Sequence, residues 1–110
     1  MKLYIGGRYQ GKREYALRQN PGMENCLVDE FQEWVRELTQ NHKNAEQEVA
    51  NYLSLHPDAI IICEEIGNGI VPMDKFEREY RECLGKILIQ IAEKAEEVVR
   101  VICGIGQRIK

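Results

Sequence analysis

A glycine-rich segment near the N-terminus has the composition and spacing of a phosphate-binding loop. Residues 6–12 read GGRYQGK, which fits the pattern G-x-x-x-x-G-K, and they follow an apolar run that ends at Ile5. The glycines of such loops let successive backbone N–H groups face an anion, and the lysine neutralises the outer phosphates of a nucleotide. We predict that the phosphate contacts come from Gly6, Gly7, Arg8, Tyr9, Gln10, Gly11, Lys12 and Arg13. The simpler alternative is a glycine turn with a surface lysine.

Arg13 occupies the position at which complete phosphate loops carry serine or threonine. The hydroxyl of that residue coordinates the magnesium ion that bridges the outer phosphates of ATP or GTP. A guanidinium group has only hydrogen-bond donors and a fixed positive charge, so Arg13 would repel the metal while it could still hold a phosphate oxygen directly. Two interpretations follow. Either the loop binds phosphate without the usual magnesium geometry, or it has lost catalysis and keeps its shape for folding or for a partner.

Acidic residues follow two of the predicted strands. Asp29 comes after the apolar residues CLV, at the carboxyl end where ligands bind in open parallel sheets. Glu64 and Glu65 come after the apolar residues AIIIC, and we favour Glu65 of the two. If the chain is an enzyme, the predicted catalytic residues are Lys12 on the outer phosphates and Asp29 and Glu65 as candidate magnesium ligands. The alternatives are that Asp29 caps a helix beginning at Phe31 and that the glutamates are simply solvated.

Four cysteines and two histidines are the other candidates for metal binding or nucleophilic chemistry. The cysteines are widely separated and form no C-x-x-C pair, so we predict buried reduced thiols rather than disulfides or a zinc site. We expect His42 on the surface, in a helix or loop, and His56 at the end of a helix. The sequence therefore assigns no chemistry to these residues.

The composition is that of a single globular domain. A chain of 110 residues, 44% hydrophobic and 30% charged, can form one hydrophobic core, so residues 1–110 are predicted to be one domain. The formal net charge of −3 gives no general attraction for nucleic acid. No apolar run approaches the ~18 residues of a membrane span, and the N-terminus lacks the apolar core of a signal peptide. We therefore expect a cytoplasmic location, with neither nucleic acid nor a membrane as partner.

Apolar runs alternate with segments of helical period, a pattern typical of a parallel sheet covered by helices. Strands are predicted at residues 2–5, 26–28, 59–63 and 98–103. Helices are predicted from Lys12, over residues 30–55 with a break at TQNHKN, and from about Asp74, as N-cap, to Lys94. A glycine turn and a short antiparallel edge strand end the chain. The expected fold class is α/β, a P-loop-type domain of three layers with a short, mainly parallel sheet.

Several stretches resemble one known family. IGGRYQGKREYAL, CLVDEFQEW, CEEIGNGIVP and the C-terminal GKILIQIAEKAEEVVRVICGIGQRIK are similar to motifs of adenosylcobinamide kinase/adenosylcobinamide-phosphate guanylyltransferase, the bifunctional enzyme of cobalamin nucleotide-loop assembly. That family shows G-G-x-R-S-G-K-S, an aspartate followed by C-L-T-x-W, and S-N-E-V-G-x-G-I-V-P. The resemblance implies a P-loop fold, ATP or GTP and magnesium as cofactors, a corrinoid as a possible partner, and a homo-oligomer.

The same resemblance shows what the chain lacks. Family members carry a further strand and a guanylylated histidine before the aspartate, whereas here only RQNPGMEN separates the first helix from the strand before Asp29. His42 follows that aspartate, so it lies in the wrong part of the chain, and Arg13 replaces the last serine of the loop. The family residues that are retained are Gly6, Gly7, Gly11, Lys12, Asp29, Glu65, Gly67, Gly69 and Pro72.

Three functions fit these observations. We favour a divergent relative that binds a nucleotide or phosphate group at a modified P-loop and has lost guanylyl transfer. The second is an active cobinamide kinase-like phosphotransferase that uses ATP or GTP. The third is a non-catalytic interaction protein that assembles into an oligomer, since a shortened α/β domain leaves a sheet edge or face uncovered.

Overall fold

The computed structural model describes residues 1–66 and 74–110. Within these two stretches the strands are β1 (Lys2–Gly6), β2 (Leu27–Val28), β3 (Ile60–Glu64), β4 (Glu97–Ile102) and β5 (Ile105–Arg108). The helices are α1 (Lys12–Gln19), α2 (Phe31–Gln40), α3 (Ala45–Leu55) and α4 (Lys75–Lys94). The predicted helices and strands are therefore confirmed. The glycines and proline of the GNGIVP stretch, Gly67, Gly69 and Pro72, lie outside the described residues.

The strands form one sheet in the order β2-β3-β1-β4-β5. The first four are parallel, and β5 returns antiparallel to β4 through the two-residue turn Cys103–Gly104. β1 lies at the centre, where the end of the strand brings Gly6 opposite Glu64 of β3. The α/β fold of P-loop type, with a mainly parallel sheet and an antiparallel C-terminal edge strand, is thus confirmed.

Helices cover both faces of the sheet, and the side chains of β3 alternate between them. Ile60 and Ile62 pack on the face of α1, together with Tyr4 and Ala16. Ile61 packs on the other face, in a core formed with α2, α3 and α4. Because all three isoleucines of β3 are at most 2% exposed, each stabilises the fold by roughly 1.5–3 kcal/mol relative to an exposed side chain. The central strands are therefore a rigid support for the loops at their carboxyl ends.

The helix starts confirm one predicted cap and correct another. The Asp74 carboxylate accepts a hydrogen bond from the Glu77 N–H at 3.1 Å, as predicted for the N-cap of α4. The alternative prediction that Asp29 caps α2 is wrong, because Glu30 is the N-cap residue, with a left-handed φ of 50°. Asp29 instead accepts a hydrogen bond from the Glu30 N–H at 2.8 Å, which leaves its second oxygen for another partner.

The four cysteines are free thiols, but they differ in burial. Cys63 is buried, and burial raises its pKa to about 12. Cys26 and Cys83 are half-buried, whereas Cys103 is exposed, so the prediction of buried thiols is wrong for Cys103. The reason is its place in the turn between β4 and the edge strand β5. None of the described helices combines the length and apolarity that would be needed to cross a membrane.

Candidate phosphate-binding site

The glycine-rich segment forms a curled loop between β1 and α1. Gly11 and Tyr9 both have left-handed backbone angles, with φ of 83° and 63°, and Lys12 is the first residue of α1. The Lys12 ammonium donates a hydrogen bond to the Gly7 carbonyl at 2.7 Å, so it joins the two ends of the loop. The segment is therefore neither extended nor a plain turn with a lysine pointing into solvent.

Gly6 is required by a close approach of two strands. A Cβ atom at this position would lie 2.4 Å from the Val101 carbonyl oxygen of β4, which is far inside van der Waals contact. Any side chain would push the loop away from the sheet or force β1 and β4 apart. The first position of the motif thus requires glycine for a steric reason that does not depend on any ligand.

Beside the loop lies an open cavity of about 280 Å³. Its walls come from the loop, the start of α2 and the end of β3, and most of the side chains that line it are polar or charged. The lining residues are Arg8, Tyr9, Lys12, Asp29, Glu30, Gln32, Ile62 and Glu64. The structure thereby brings Lys12, Arg8 and Tyr9 of the predicted loop together with Asp29 around one space.

Two ion pairs connect the loop region to the acidic wall of this cavity. The Arg13 guanidinium lies 2.9 Å from the Asp29 carboxylate, and the Arg8 guanidinium lies 3.5 Å from that of Glu64. With Lys12 and Glu30, the described residues of the site therefore include three cations and three carboxylates. An anion that binds here competes with carboxylates for the two arginines, and because both arginines are exposed, the cost of opening these pairs is small.

Glu64 and Glu65 have different environments, although they are neighbours in the sequence. Glu64 follows Ile60 and Ile62 on the loop face of β3 and lines the cavity. The Glu65 carboxylate accepts a hydrogen bond from the Arg100 side chain at 3.2 Å, and its backbone N–H donates to the Gly6 carbonyl at 2.7 Å. Glu65, which we favoured from the sequence, is not among the residues that line the cavity, and Glu64 is.

Gln32 was not predicted and forms part of the cavity wall. It is only 3% exposed, and its amide group donates to Glu30 at 2.7 Å and accepts from the Glu64 N–H at 2.9 Å. The Tyr80 hydroxyl donates to the Gln32 carbonyl at 2.9 Å, and burial raises the pKa of Tyr80 to about 12, so that hydroxyl stays a donor. Gln32 thus ties α2 to the end of β3. Its sequence position, next to Phe31 at a helix start, carries no signal that it is buried.

Comparison with known protein families gives the decisive observation. The model of the CobU family, described as cobinamide kinase / cobinamide phosphate guanyltransferase, matches residues 5–109. The chain belongs to this family. The match begins at the end of β1 and includes the loop, both acidic strand ends and the C-terminal hairpin, so the suspected resemblance is confirmed.

Two relatives are both described as bifunctional adenosylcobalamin biosynthesis protein CobU. The protein of Escherichia coli (strain K12) is 32% identical over 80 residues, which are 71% of this chain and 44% of the relative. The protein of Salmonella typhimurium is 37% identical over 51 residues, which are 46% of this chain and 28% of the relative. The chain thus matches less than half the length of each of these CobU proteins.

The described side chains of this CobU-family chain form no ready-made magnesium site. In residues 1–66 and 74–110, no group of three or more histidine, cysteine, aspartate or glutamate side chains could hold a metal ion. Asp29 is paired with Arg13 and Glu65 with Arg100, so both predicted ligands already face a guanidinium. Their role as metal ligands stays a prediction that requires both ion pairs to open, and we derive no step through magnesium.

The two histidines of this family member lie where the sequence predicts. His42 is exposed in the turn after α2, with a left-handed φ of 55°. His56 is the C-cap residue of α3, and its ring stacks on that of Tyr52 with 4.1 Å between the centroids. Neither residue lines the cavity beside the phosphate loop.

Proposed function

We propose that this CobU-family chain binds the phosphate groups of a nucleotide, GTP or ATP, at the loop of residues 6–12. One observation carries the proposal, namely the curled loop in which Lys12 joins the two ends beside a cavity that also contains Arg8. Lys12 supplies a charged donor, and a phosphate oxygen can replace the Gly7 carbonyl as its acceptor. The family match supports a nucleotide as the ligand, because kinase and guanyltransferase activities both use one.

Arg13 takes part in this binding in place of the hydroxyl–magnesium pair. Its side chain is 54% exposed and, among the described residues, its guanidinium is paired with the carboxylate of Asp29. A phosphate group offers two oxygens in the planar arrangement that suits a guanidinium, so Arg13 can exchange Asp29 for the ligand. The binding is therefore independent of magnesium.

Guanylyl transfer is absent from the proposed function. Between α1 and β2 the chain has only residues 20–26, which contain no histidine. The two histidines of the sequence follow β2 and lie away from the cavity wall. This segment therefore offers no histidine that could accept a guanylyl group in the way that the family resemblance implies.

Calorimetric titration tests the proposal. GTP, ATP and pyrophosphate are titrated with and without magnesium into the wild type, Lys12→Ala and Lys43→Ala, the last being an exposed lysine in the turn after α2. We expect binding without magnesium, at least about tenfold weaker in Lys12→Ala because a charge-assisted hydrogen bond is lost, and unchanged in Lys43→Ala. Binding that requires magnesium, or that survives in Lys12→Ala, contradicts the proposal.

A second candidate function is phosphoryl transfer from ATP or GTP to a hydroxyl group of cobinamide, which would release the nucleoside diphosphate. The favouring observation is that Asp29 and Glu64 border the same cavity as Lys12. Either carboxylate could accept the proton of the attacking alcohol. An assay with labelled nucleotide and cobinamide tests this candidate. If the wild type forms no more labelled product than Lys12→Ala, phosphoryl transfer is ruled out.

We also propose that the chain forms a homo-oligomer, because apolar side chains are exposed on the C-terminal hairpin. Ile102, Ile105 and Ile109 are 45%, 71% and 60% exposed, and β5 is the last strand of the described sheet. Exposed apolar side chains on an edge strand favour association between copies. Sedimentation tests this proposal, and a strictly monomeric species at high concentration contradicts it.

A further inference from the structure

The tip of the β4–β5 hairpin contacts the phosphate loop through one residue, Gln10. The Gln10 main-chain carbonyl accepts a hydrogen bond from the Gly104 N–H at 2.8 Å. Its side-chain Oε1 accepts a second one from the Cys103 N–H at 2.6 Å. Two consecutive amides of the hairpin turn are therefore bound by a single residue of the loop.

The turn is built to present these two amides. β4 and β5 pair as far as Ile102 and Ile105, so the N–H groups of Cys103 and Gly104 lie beyond the ladder of the hairpin. Cys103 and Gly104 both have positive φ, 51° and 74°, as in the tight hairpin turns that match the twist of the strands. A left-handed backbone angle is uncommon for a residue other than glycine, and here Cys103 holds it while bonded to Gln10.

Two further contacts hold the loop against the same hairpin. A Cβ atom at Gly11 would lie 3.4 Å from the Gly104 Cα, so the end of the loop packs on the turn. The start of the loop is closer still, because a Cβ atom at Gly6 would lie 2.4 Å from the Val101 carbonyl oxygen of β4. The hairpin therefore contacts the loop at its beginning and at its end.

The direction of these hydrogen bonds matters for an anion. In both of them Gln10 is the acceptor and the hairpin is the donor. The contacts thus fix the path of the loop without using any of its own N–H groups, which are the groups that a phosphate needs. A loop held in its binding conformation before the ligand arrives loses less conformational entropy on binding.

We propose that Gln10 is a positioning residue, which uses the tip of the β4–β5 hairpin to hold the phosphate loop in its anion-binding shape. The inference rests on the proposed function, because it concerns the same site. It adds that the affinity for phosphate depends on an element 93 residues away in the sequence. By reciprocity, a phosphate ligand must then strengthen the contact between the loop and the hairpin by the same factor.

The test combines pyrophosphate titration with amide hydrogen exchange. Gln10→Met keeps the size of the side chain but removes its acceptor oxygen, and Gln107→Met makes the same change at an exposed position of β5. We expect pyrophosphate to bind Gln10→Met about tenfold more weakly than the wild type and to bind Gln107→Met unchanged. In the wild type, pyrophosphate should slow the exchange of the Cys103 and Gly104 amides. In Gln10→Met, which keeps the main-chain carbonyl that binds the Gly104 amide, the effect should be lost at the Cys103 amide.

A conservative variant separates positioning from folding. Gln10→Glu keeps an acceptor oxygen, so the Cys103 amide should exchange as slowly as in the wild type. If the wild type binds pyrophosphate and Gln10→Met binds it equally well, the inference is wrong while the proposed function stands. If the wild type binds no pyrophosphate, the proposed function fails and the inference with it. Should Gln10→Met not fold, protection of the two amides by pyrophosphate in the wild type supports the inference, and absence of protection overturns it.

Discussion

Two arginine–carboxylate pairs in this molecule use the same groups in different surroundings. Arg13 and Asp29 meet at 2.9 Å beside the cavity, where their side chains are 54% and 31% exposed. Arg36 of α2 and Glu77 of α4 pair between two helices, where the side chains are 29% and 27% exposed. The Arg36 guanidinium also lies 4.2 Å from the centroid of the Tyr80 ring. The second pair is thus more enclosed and has a third partner.

The difference indicates that one pair can open and the other holds the fold together. An exposed ion pair contributes ~0–1 kcal/mol, so a phosphate ligand can take Arg13 from Asp29 at little cost. Between the helices, hydrogen bonding to Arg36 lowers the pKa of Glu77, and the same bond raises the pKa of Arg36. The ring of Tyr80 adds a cation–π contact. We therefore expect substitutions at the first pair to change ligand affinity and substitutions at the second to change stability.

The largest effect that we predict is at Gly6, where the loop meets the sheet. Gly6→Ala places a Cβ atom 2.4 Å from the Val101 carbonyl, and relieving such overpacking costs about 1–3 kcal/mol. Thermal and urea unfolding measure this loss, and pyrophosphate binding should be lost with the loop geometry. Gly85→Ala is the matched control, because a Cβ there meets nothing within 4 Å and α4 should gain up to about 1 kcal/mol. An unchanged stability of Gly6→Ala would contradict the close approach.

The enclosed pair should give the next largest effect. Arg36→Met removes the partner of Glu77 and the contact with Tyr80, so we expect a loss of about 1–2 kcal/mol in the free energy of unfolding. The affinity of the folded protein for pyrophosphate should not change. Arg78→Met, at an exposed position of α4, provides the control and should leave both quantities within about 0.5 kcal/mol of the wild type. A loss of affinity in Arg36→Met would remove the distinction between the two pairs.

A smaller effect is expected at the exposed pair, and here the substitution should increase the affinity for pyrophosphate rather than reduce stability. Asp29→Asn keeps the shape of the side chain but releases Arg13, so pyrophosphate should bind about two- to fivefold more tightly with little change in stability. Calorimetric titration measures the gain. Glu48→Gln makes the same change of charge at an exposed position of α3 and should have no effect. Weaker binding in Asp29→Asn would show that this carboxylate assists the ligand rather than competing with it.

The smallest predicted effect is a dependence of the free energy of unfolding on pH, which arises from the enclosed pair. Because the pKa of Glu77 is lower in the folded protein than in the unfolded chain, its contribution is present above the unfolded pKa of ~4.3 and is lost as the pH falls through the folded pKa. At neutral pH, Glu77→Gln should be less stable than the wild type by about 0.5 kcal/mol. Urea unfolding between pH 7 and pH 3 should show this difference shrinking. A difference that is constant with pH would mean that the charge of Glu77 is not what stabilises the contact.

The fold could be predicted from the sequence because its signals are local. Apolar runs of four to six residues gave β1, β3 and β4, and helical spacing with the Asp74 cap gave α4. The start of α2 was predicted less well, because Asp29 has the residue type of an N-cap and the observed N-cap residue, Glu30, does not. Glu30 is recognised as the N-cap only from the structure, where it has a left-handed φ and makes no side-chain capping bond.

The site could be predicted only in part, because its contacts join distant segments. The loop and Lys12 follow from their spacing, but the ion pair between Arg13 and Asp29 links two elements whose side-chain directions the sequence does not give. Glu64 and Glu65 were found as a pair, yet which of them faces the cavity depends on the face of β3 that carries α1. Gln10 was predicted only as a phosphate contact and Gln32 was not predicted, because the bonds from Gln10 to the hairpin turn and from Gln32 to the end of β3 join backbone groups of distant segments.

A crystal structure of the protein soaked with GTP and magnesium tests the central claim most directly. We predict phosphate oxygens within hydrogen-bond distance of Lys12 Nζ and of the backbone N–H groups of the loop, with the Arg13 guanidinium moved from Asp29 onto a phosphate. No nucleotide at the loop under saturating GTP would contradict the account. So would a magnesium ion held by Asp29 and Glu65 with Arg13 turned into solvent.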